Sequence, residues 1–363
     1  MPLRDLSDHT EYVPGKGATE VARERGLDPD NVLVLSSNEN ALGPSDAAVA
    51  SITSAAPGIH RYPKSSHIDL TQALADRWQV NTEQIWLANG GDGALDYLSR
   101  AIIRPGDRVL VPNPGFAYYA MSARFHHGTA SQYSLSKADD FRLTAEMILA
   151  AFSDERIIYI TSPHNPTGST IAIDEIERIA DATPTDTIVV VDEAYGAFSS
   201  VDSAVSLVQS RDDVAVLRSF SKLYGLAGIR LGYAIVPPSW QDAYSRINTP
   251  FSVSELACQA GRAALTDSDH VTKTIEMTQN GRELIRGSVD APSWPSGGNF
   301  ILVDVGDAAR VTDALVDRGV IVRDCTSFGL PSCIRLTTAP EPDLRRAVSA
   351  LNSVMDDGAG GEQ

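Results

Sequence analysis

The stretch "TIVVVDEAYGAF", residues 187–198, gives the clearest indication of the fold of this chain. Four consecutive apolar residues precede Asp192, without the polar alternation of a strand that faces water on one side. Such a run is typical of a strand buried on both faces of a mostly parallel sheet. A carboxylate at its end is costly to bury unless a cationic or protonated group pairs with it. The stretch predicts a central strand ending at a functional acid, with a helix cap or a turn acid as the simpler alternative.

Similar segments surround this strand from about residue 67 to 236 and alternate with helical patterns. Helical spacing occurs at 67–80 and at 92–103. Alternating strands and helices predict βαβ units, whose ligands gather where the parallel strands end. The strand-like runs are "QIWLA" (84–88), "RVLVP" (108–112), "RIIYIT" (156–161), "VAVLRSF" (214–220) and "IRLGYAIV" (229–236).

Beyond about residue 250 the pattern changes to two long helical segments followed by short strands. These strands, "NFILVDV", "VIVRD" and "CIRLTT", predict a smaller α/β domain. The first forty residues have no core of their own and are expected to pack on it. The predicted fold class is α/β, with a large domain of mostly parallel sheet flanked by helices. We assign residues 45–250 to the large domain, and residues 1–44 and 251–363 to the small one.

Composition excludes several classes of protein. The 363 residues carry a net charge of −17, opposite in sign to that of a typical nucleic-acid-binding protein. No apolar run reaches the ~18 residues of a membrane span, and no secretory signal is evident. Three widely spaced cysteines predict neither a disulfide framework nor a metal site, so a cytoplasmic protein is expected. Scattered acid with only five lysines resembles proteins of a salt-loaded cytoplasm; an ordinary acidic enzyme is the alternative.

Two loops that follow predicted strands carry candidate ligand-binding residues. In "LANGGDGALD", Gly91 and Asp92 open a helix whose free backbone N–H groups could bind an anion. The alternative is a tight turn with Asp92 as the helix cap. In "TSPHNPTGS", two prolines and a glycine fix a turn that projects Asn165, and a plain turn is again the alternative.

The segment "SFSKLYGLAGIR", residues 219–230, contains the most specific chemistry. Ser219, Ser221 and Arg230 are suitable phosphate ligands, because a guanidinium can bind a phosphate through two hydrogen bonds. Lys222 lies between them in an apolar, glycine-rich setting that favours an amine nucleophile. The glycines at 225 and 228 are expected to let other backbone approach closely.

One ligand accounts for all four segments. It carries a phosphate for the glycine loop and the serines, a basic ring nitrogen for Asp192, a ring oxygen for Asn165 and a carbonyl for Lys222. Pyridoxal 5′-phosphate (PLP) has all of these groups. Arginine could not replace Lys222, since a guanidinium stays protonated and forms no Schiff base.

At this point the sequence resembles the fold-type I PLP-dependent aminotransferases, and particularly those members that act on histidinol phosphate. The resemblance extends over nearly the whole chain, and the order and spacing of its motifs make it specific. The motifs are "YVPGKG", "LSSNENALGPS", "HRYP", "GGDGALD", "PGFAYY", "SPHNPTG", "VVVDEAY", "SFSKLYGLAGIRLGY", "GGNFILV", "VIVRD" and "CIRLTT".

The resemblance implies roles for individual residues. Lys222 would carry the cofactor and shuttle a proton, and Asp192 would keep the pyridine nitrogen protonated. Tyr62 would reach the phosphate of the neighbouring subunit's cofactor, which implies a homodimer with shared sites. The other implied cofactor contacts are Asn165 and Tyr195 at the ring oxygen, Phe116 on the ring face, and Gly91, Asp92, Ser219, Ser221 and Arg230 at the phosphate.

The implied reaction is transamination between glutamate and imidazole-acetol phosphate, which gives 2-oxoglutarate and histidinol phosphate and is reversible. Arg335 would hold the substrate carboxylate, and Arg323 would supply a second cation. For Arg323 an ion pair with Asp324 is the alternative. The resemblance also implies that Asn38 and Tyr12 contact the substrate.

Other functions remain open to the sequence alone. An aromatic amino acid aminotransferase would use the same chemistry in a more apolar pocket. A lyase of the threonine-phosphate decarboxylase kind would use the same scaffold. A PLP-binding transcription regulator would need a DNA-binding module, and a dinucleotide-binding protein would need a G-x-G-x-x-G motif after a first strand.

Overall fold

The computed structural model describes residues 7, 9, 11, 17–64 and 67–359. Its strands are short, from two to six residues long. They are β1 Leu33–Val34, β2 Ile85–Asn89, β3 Arg108–Asn113, β4 Thr129–Ser134, β5 Ile157–Thr161, β6 Ile188–Asp192, β7 Val214–Ser219, β8 Leu231–Ile235, β9 Phe300–Asp304, β10 Val320–Ile321, β11 Arg323–Asp324 and β12 Cys333–Thr337.

Helices connect most of these strands and cover the sheets. They are α1 Ala18–Arg25, α2 Asp46–Ala55, α3 Ile68–Trp78, α4 Gly90–Ile102, α5 Tyr118–Phe125, α6 Ala145–Ala151, α7 Ile173–Ala182, α8 Val205–Val208, α9 Gln241–Ile247, α10 Glu255–Thr266, α11 Ser268–Ser288, α12 Ala308–Val316 and α13 Glu341–Ala359.

The larger sheet orders its strands β2-β8-β7-β6-β5-β3-β4. The pairs from β7 to β4 are parallel, whereas β8 runs antiparallel to both β2 and β7. The prediction of an α/β fold with a mostly parallel sheet is confirmed. Because β8 is reversed, its first residue lies at the edge where its neighbours end.

The central strands are buried on both faces, as their continuous apolar runs predicted. In β6, Val189 and Val191 face one hydrophobic cluster, while Ile188 and Val190 face the cluster on the opposite side. Successive side chains of a strand point to opposite faces. Both faces must therefore be apolar, which explains the lack of alternation in this run.

Two strands were not predicted, and one predicted strand is divided. The edge strand β4, "TASQYS", buries only Tyr133, so its polar sequence does not resemble a central strand. The short β1 pairs in parallel with β10. The predicted strand "VIVRD" is split between β10, which pairs with β1, and β11, which pairs with β12.

A smaller antiparallel sheet, in the order β11-β12-β9, packs between two cores. Phe300 and Leu302 belong to the cluster on one face of the larger sheet. Ile301 and Val303 belong to a cluster that includes residues of α11, α12 and α13. One face of this smaller sheet therefore packs directly against the core of the larger sheet.

The division into domains at residues 44 and 250 stays a prediction. The contact of β1 with β10 joins the start of the chain to its last third. The helix α10, which follows residue 250, packs on α2 and α3.

Among the described residues, no helix combines the length and apolar character needed to cross a membrane.

Gly225 is required by the packing of the loop that carries Lys222. Its φ is +65°, and a Cβ there would lie 2.1 Å from the carbonyl oxygen of Gly43. Gly228 has open space around the corresponding position, contrary to the expectation that both glycines permit close approach. The close contact is with backbone, so a side chain at 225 would displace one of the two segments.

We expect Gly225→Ala to lower the free energy of unfolding by about 1–3 kcal/mol, because it combines backbone strain with a steric clash. Gly228→Ala is the matched control in the same loop and should change it by less than about 0.5 kcal/mol. Urea unfolding at constant salt measures both. Equal effects of the two substitutions would contradict the assignment.

Candidate active site

A cavity of about 250 Å³ lies at the edge of the larger sheet where the parallel strands end. Thr161 ends β5, Asp192 ends β6 and Ser219 ends β7, and all three line the cavity. Arg230, directly before the reversed β8, lines it as well. Sheets of this kind bind ligands at this edge. The cavity is therefore the candidate active site.

Most residues predicted for the site meet in this cavity. Among the described residues, Tyr62 and Asn38 lie outside its lining, and Tyr12 lies outside the described residues. The predicted residues that line it are Gly91, Asp92, Phe116, Asn165, Asp192, Tyr195, Ser219, Ser221, Lys222, Arg230, Arg323 and Arg335.

Asp192 is a buried carboxylate held by two donors. The Tyr119 hydroxyl donates to Oδ2 at 2.7 Å, and the Ala194 backbone N–H donates to Oδ1 at 2.9 Å. Both donors are neutral. Asp192 itself is only 8% exposed. The carboxylate is thus fixed in orientation, but no cationic side chain of the described residues pairs with it to offset its burial.

Burial raises the pKa of Asp192 to about 6. The Tyr119 hydroxyl and the Ala194 N–H lower this pKa, while the negative charges of Asp92 and Glu193 raise it further. A protonated ring nitrogen in the cavity would favour the ionised form of this carboxyl group.

Lys222 follows β7 and extends into the cavity. Its Nζ donates to the backbone carbonyl oxygen of Ser37 at 3.1 Å and lies 5.7 Å from the centre of the Tyr195 ring. Ser37 comes from the segment after β1, so the amine is positioned by a part of the chain remote in sequence. A half-buried primary amine in this position can act as a nucleophile.

The first turn of α4 forms one end of the cavity. The helix begins at Gly90, so Asp92 lies within its first turn and is not its cap residue. Arg230 Nη2 donates to Asp92 Oδ2 at 3.0 Å. A Cβ at Gly90 would lie 2.4 Å from the same Nη2, and φ at Gly90 is +80°. Glycine therefore lets the guanidinium lie against the helix N-terminus.

Two serines complete this end of the cavity. Ser219 and Ser221 both line it, and the Ser221 backbone N–H donates to Ser219 Oγ at 3.0 Å. Hydroxyls, a guanidinium and the backbone N–H groups of a helix N-terminus together favour a phosphate group.

Arg335 forms the other end of the cavity and is only 5% exposed. It lies in β12, where its guanidinium donates to Asn165 Oδ1 and to the carbonyl oxygen of Ser36. The Phe300 and Phe328 rings lie 5.5 and 5.9 Å from its Cζ. These contacts fix the orientation of the guanidinium, which suits two-point binding of a carboxylate.

Arg323 lies directly opposite Arg335 in the β11–β12 pair. Its Nη2 donates to Ser327 Oγ at 3.2 Å, and its Cζ lies 5.5 Å from the Phe328 ring. Asp324 accepts from the Thr326 backbone N–H and so caps the turn that follows. Two guanidinium groups thus share one aromatic ring at the same cavity wall.

Asn38 lies behind Tyr195. Its Nδ2 donates to the Tyr195 hydroxyl at 3.0 Å, and its side chain also bonds with Thr337 Oγ1. The residue is fully buried and has a φ of 52°. Its contact with the substrate stays a prediction, and the structure assigns it a direct contact with Tyr195.

Tyr62 lies on the surface, away from the cavity of its own chain. It is 83% exposed, and its ring stacks on Phe251 at 4.8 Å. Phe251 is itself 48% exposed, so the two rings form an exposed aromatic pair.

Several lining residues were not predicted from the sequence: Ser36, Ser37, Glu39, Tyr119, Thr161 and Phe328. Tyr119 lies in the motif "PGFAYY", and Thr161 ends the run "RIIYIT". Its position as a polar residue at the end of a buried strand was therefore sufficient to predict Thr161 as a site residue. Ser36, Ser37 and Glu39 lie in the motif "LSSNENALGPS", whereas Phe328 lies in none of the quoted motifs.

The family model described as "Aminotransferase class I and II" matches residues 30–351. The histidinol-phosphate aminotransferase of Halorubrum lacusprofundi is 58% identical over 357 residues, which cover 98% of this chain and 98% of that protein. The histidinol-phosphate aminotransferase of Methanosarcina mazei is 41% identical and covers 96% of this chain and 95% of its own length.

A solved structure shares the fold. It is the crystal structure of histidinol-phosphate aminotransferase from Sinorhizobium meliloti in complex with pyridoxal-5′-phosphate. It matches with a TM-score of 0.87 at 28% identity, over 95% of this chain and 96% of that one. Since the family model and these relatives align along nearly the whole sequence, the chain belongs to the class I and II aminotransferase family.

Proposed function

We propose that this protein transfers an amino group, with PLP as cofactor, between histidinol phosphate and 2-oxoglutarate. The products are imidazole-acetol phosphate and glutamate, and the reaction serves histidine biosynthesis. Lys222, Asp192 and Arg335 line one cavity, and this arrangement is the main support for the proposal. The relatives at 58% identity bear the corresponding name, which favours this substrate over the aromatic and decarboxylase alternatives.

The donors in the cavity fit PLP. Gly91, Ser219, Ser221 and Arg230 suit the phosphate, and the buried Asp192 lacks a charged partner among the described residues and so suits a protonated ring nitrogen. When bound, the cofactor supplies an electron sink that stabilises negative charge on the substrate carbon that loses its proton.

Lys222 has two tasks in this proposal. Its Nζ would hold the cofactor at the aldehyde carbon, and as a free amine it would take up and return the proton at the substrate Cα. Asn165 and Tyr195 would hold the ring oxygen, and Phe116 would cover the ring face.

Arg335 and Arg323 receive the anionic groups of both substrates. Glutamate presents carboxylates and histidinol phosphate presents a phosphate, so fixed guanidinium groups can serve both in turn. The contacts of the Arg335 guanidinium with the Phe300 and Phe328 rings help to keep it oriented for either anion.

A second copy of the chain completes the site in this proposal. Exposed apolar side chains, including Tyr62, Phe251 and Ile59, offer a surface for it. A closed twofold dimer would bury this surface and bring Tyr62 to the partner's phosphate end. The acidic composition, together with relatives from halophilic archaea, supports a cytoplasmic enzyme that works at high salt.

We expect borohydride reduction of the holoenzyme to leave the pyridoxyl group on the peptide that contains Lys222, because only this lysine of the described chain lines the cavity. Lys222→Ala should retain PLP through the phosphate contacts and lose nearly all turnover. Peptide mapping by mass spectrometry measures the first outcome. The exposed Lys273→Ala is the control, and label on any other lysine refutes the proposal.

Substrate choice is tested by kcat/KM with 2-oxoglutarate as acceptor. Histidinol phosphate should be preferred over phenylalanine by at least about tenfold, which corresponds to about 1.4 kcal/mol. Arg335→Ala should reduce kcat/KM for both histidinol phosphate and glutamate by a factor equivalent to about 2–5 kcal/mol of lost binding free energy, because it breaks a charge-assisted contact. Arg335→Lys should also reduce it, because a point charge cannot make the two-point contact. A preference for phenylalanine would leave the cofactor assignment intact and reject the substrate.

The shared site is tested by mixing inactive Lys222→Ala and Tyr62→Ala subunits. If Tyr62 acts across the dimer, each heterodimer contains one intact site, and activity should return as the subunits exchange. Labelled subunits establish that exchange occurs. If exchange is complete without recovery, Tyr62 does not act in the neighbouring site.

A further inference from the structure

A chain of hydroxyl groups leads to the buried carboxylate of Asp192. Thr161 Oγ1 lies 2.8 Å from the Tyr119 hydroxyl, which lies 2.7 Å from Asp192 Oδ2. An ionised carboxylate only accepts hydrogen bonds, so Tyr119 must donate its single proton to Asp192. Thr161 then donates to the Tyr119 oxygen, so both hydrogen bonds are directed towards Asp192.

We propose that Tyr119 is a positioning residue that keeps Asp192 ionised and aimed at the cofactor's ring nitrogen, with Thr161 as its support. This inference rests on the proposed function, because it assigns the ring nitrogen as the partner of Asp192. It concerns a residue of the cavity lining whose hydroxyl donates to Asp192.

The packing around Tyr119 permits one position of its hydroxyl. The residue is 1% exposed, and its ring stacks on Tyr159 at 4.9 Å and meets Phe116 edge-on at 5.6 Å. Tyr159 is itself anchored by a hydrogen bond between its hydroxyl and Ser99 Oγ at 2.9 Å. The phenol is therefore a preorganised donor that needs no rearrangement when the ligand binds.

Backbone pairing between the two strands fixes Thr161 and Asp192 relative to each other. Thr161 and Asp192 are direct partners in the parallel register of β5 and β6. Both strands end here, so the two side chains and the start of α5 converge at one point. The distance from Thr161 to Asp192 is thus set by the sheet, and Tyr119 bridges it.

The charges around Asp192 make this donor necessary. Asp92 from α4 and Glu193, the next residue, both face it with negative charge, and burial disfavours its ionised form. Burial also raises the pKa of Tyr119 well above its ordinary value, so the phenol keeps its proton throughout the working pH range.

Removal of the Tyr119 hydroxyl should make the Asp192 carboxylate more basic. A proton shared between the ring nitrogen and this carboxylate would then move towards Asp192. The experiment reconstitutes the enzyme with PLP labelled with ¹⁵N in the ring and records the nitrogen resonance across neutral pH. That resonance reports protonation of the ring directly and does not depend on turnover.

In Tyr119→Phe we expect the resonance to move from the protonated position towards the unprotonated one, with a fall in kcat of about tenfold and little change in KM. Asp192→Asn defines the unprotonated limit. Tyr133→Phe is the matched control: it removes another buried tyrosine hydroxyl, one that bonds the carbonyl oxygen of Tyr159, and should leave the resonance at the wild-type position.

Thr161→Val tests the same chain without disturbing the aromatic packing, and decides the matter if Tyr119→Phe fails to fold. It should move the resonance in the same direction by a smaller amount. A resonance unchanged in both variants overturns the role of Tyr119 while the proposed function stands. A wild-type enzyme that binds no PLP, or holds it unprotonated, overturns the proposed function and this inference together.

Discussion

A carboxylate buried at the end of the central strand is the constraint on which the site depends. Asp192 is almost fully enclosed, and burial raises its pKa to about 6. Unfavourable charge burial of this kind persists only where other groups offset it. The structure provides two neutral donors and leaves one side of the carboxylate open to the cavity, which suits a cationic ligand atom.

The direction of the strands determines where this carboxylate meets its neighbours. The parallel strands β5, β6 and β7 deliver Thr161, Asp192 and Ser219 to one edge. The reversed β8 starts at that edge, which allows Arg230 to join them although it precedes its strand. A single antiparallel strand thus adds a guanidinium to a site otherwise built from strand ends.

The segment after β1 connects the ends of the cavity. Ser36 accepts from Arg335, Ser37 accepts from Lys222, and Asn38 donates to Tyr195. Two of these bonds use backbone carbonyl oxygens, so they depend on the path of the chain more than on side-chain identity. This segment couples the amine, the anion-binding guanidinium and the ring-oxygen ligand in one rigid arrangement.

The parallel sheet and about half of the cavity lining were predictable from the amino-acid sequence. Continuous apolar runs such as residues 188–191 require burial on both faces, and the polar residues that end them must then share one edge. The edge strand β4 escaped prediction because it buries only one side chain and is otherwise polar. Its pairing is decided by the neighbouring β3.

Which remote residues complete the site depends on the tertiary structure. Tyr119 carries no local signal of its contact with Asp192, because the bond spans 73 positions in sequence. The same holds for Ser37 at Lys222 and for Asn38 behind Tyr195. Periodicity reports which face of an element is buried, whereas hydrogen bonds between distant segments depend on how the elements pack.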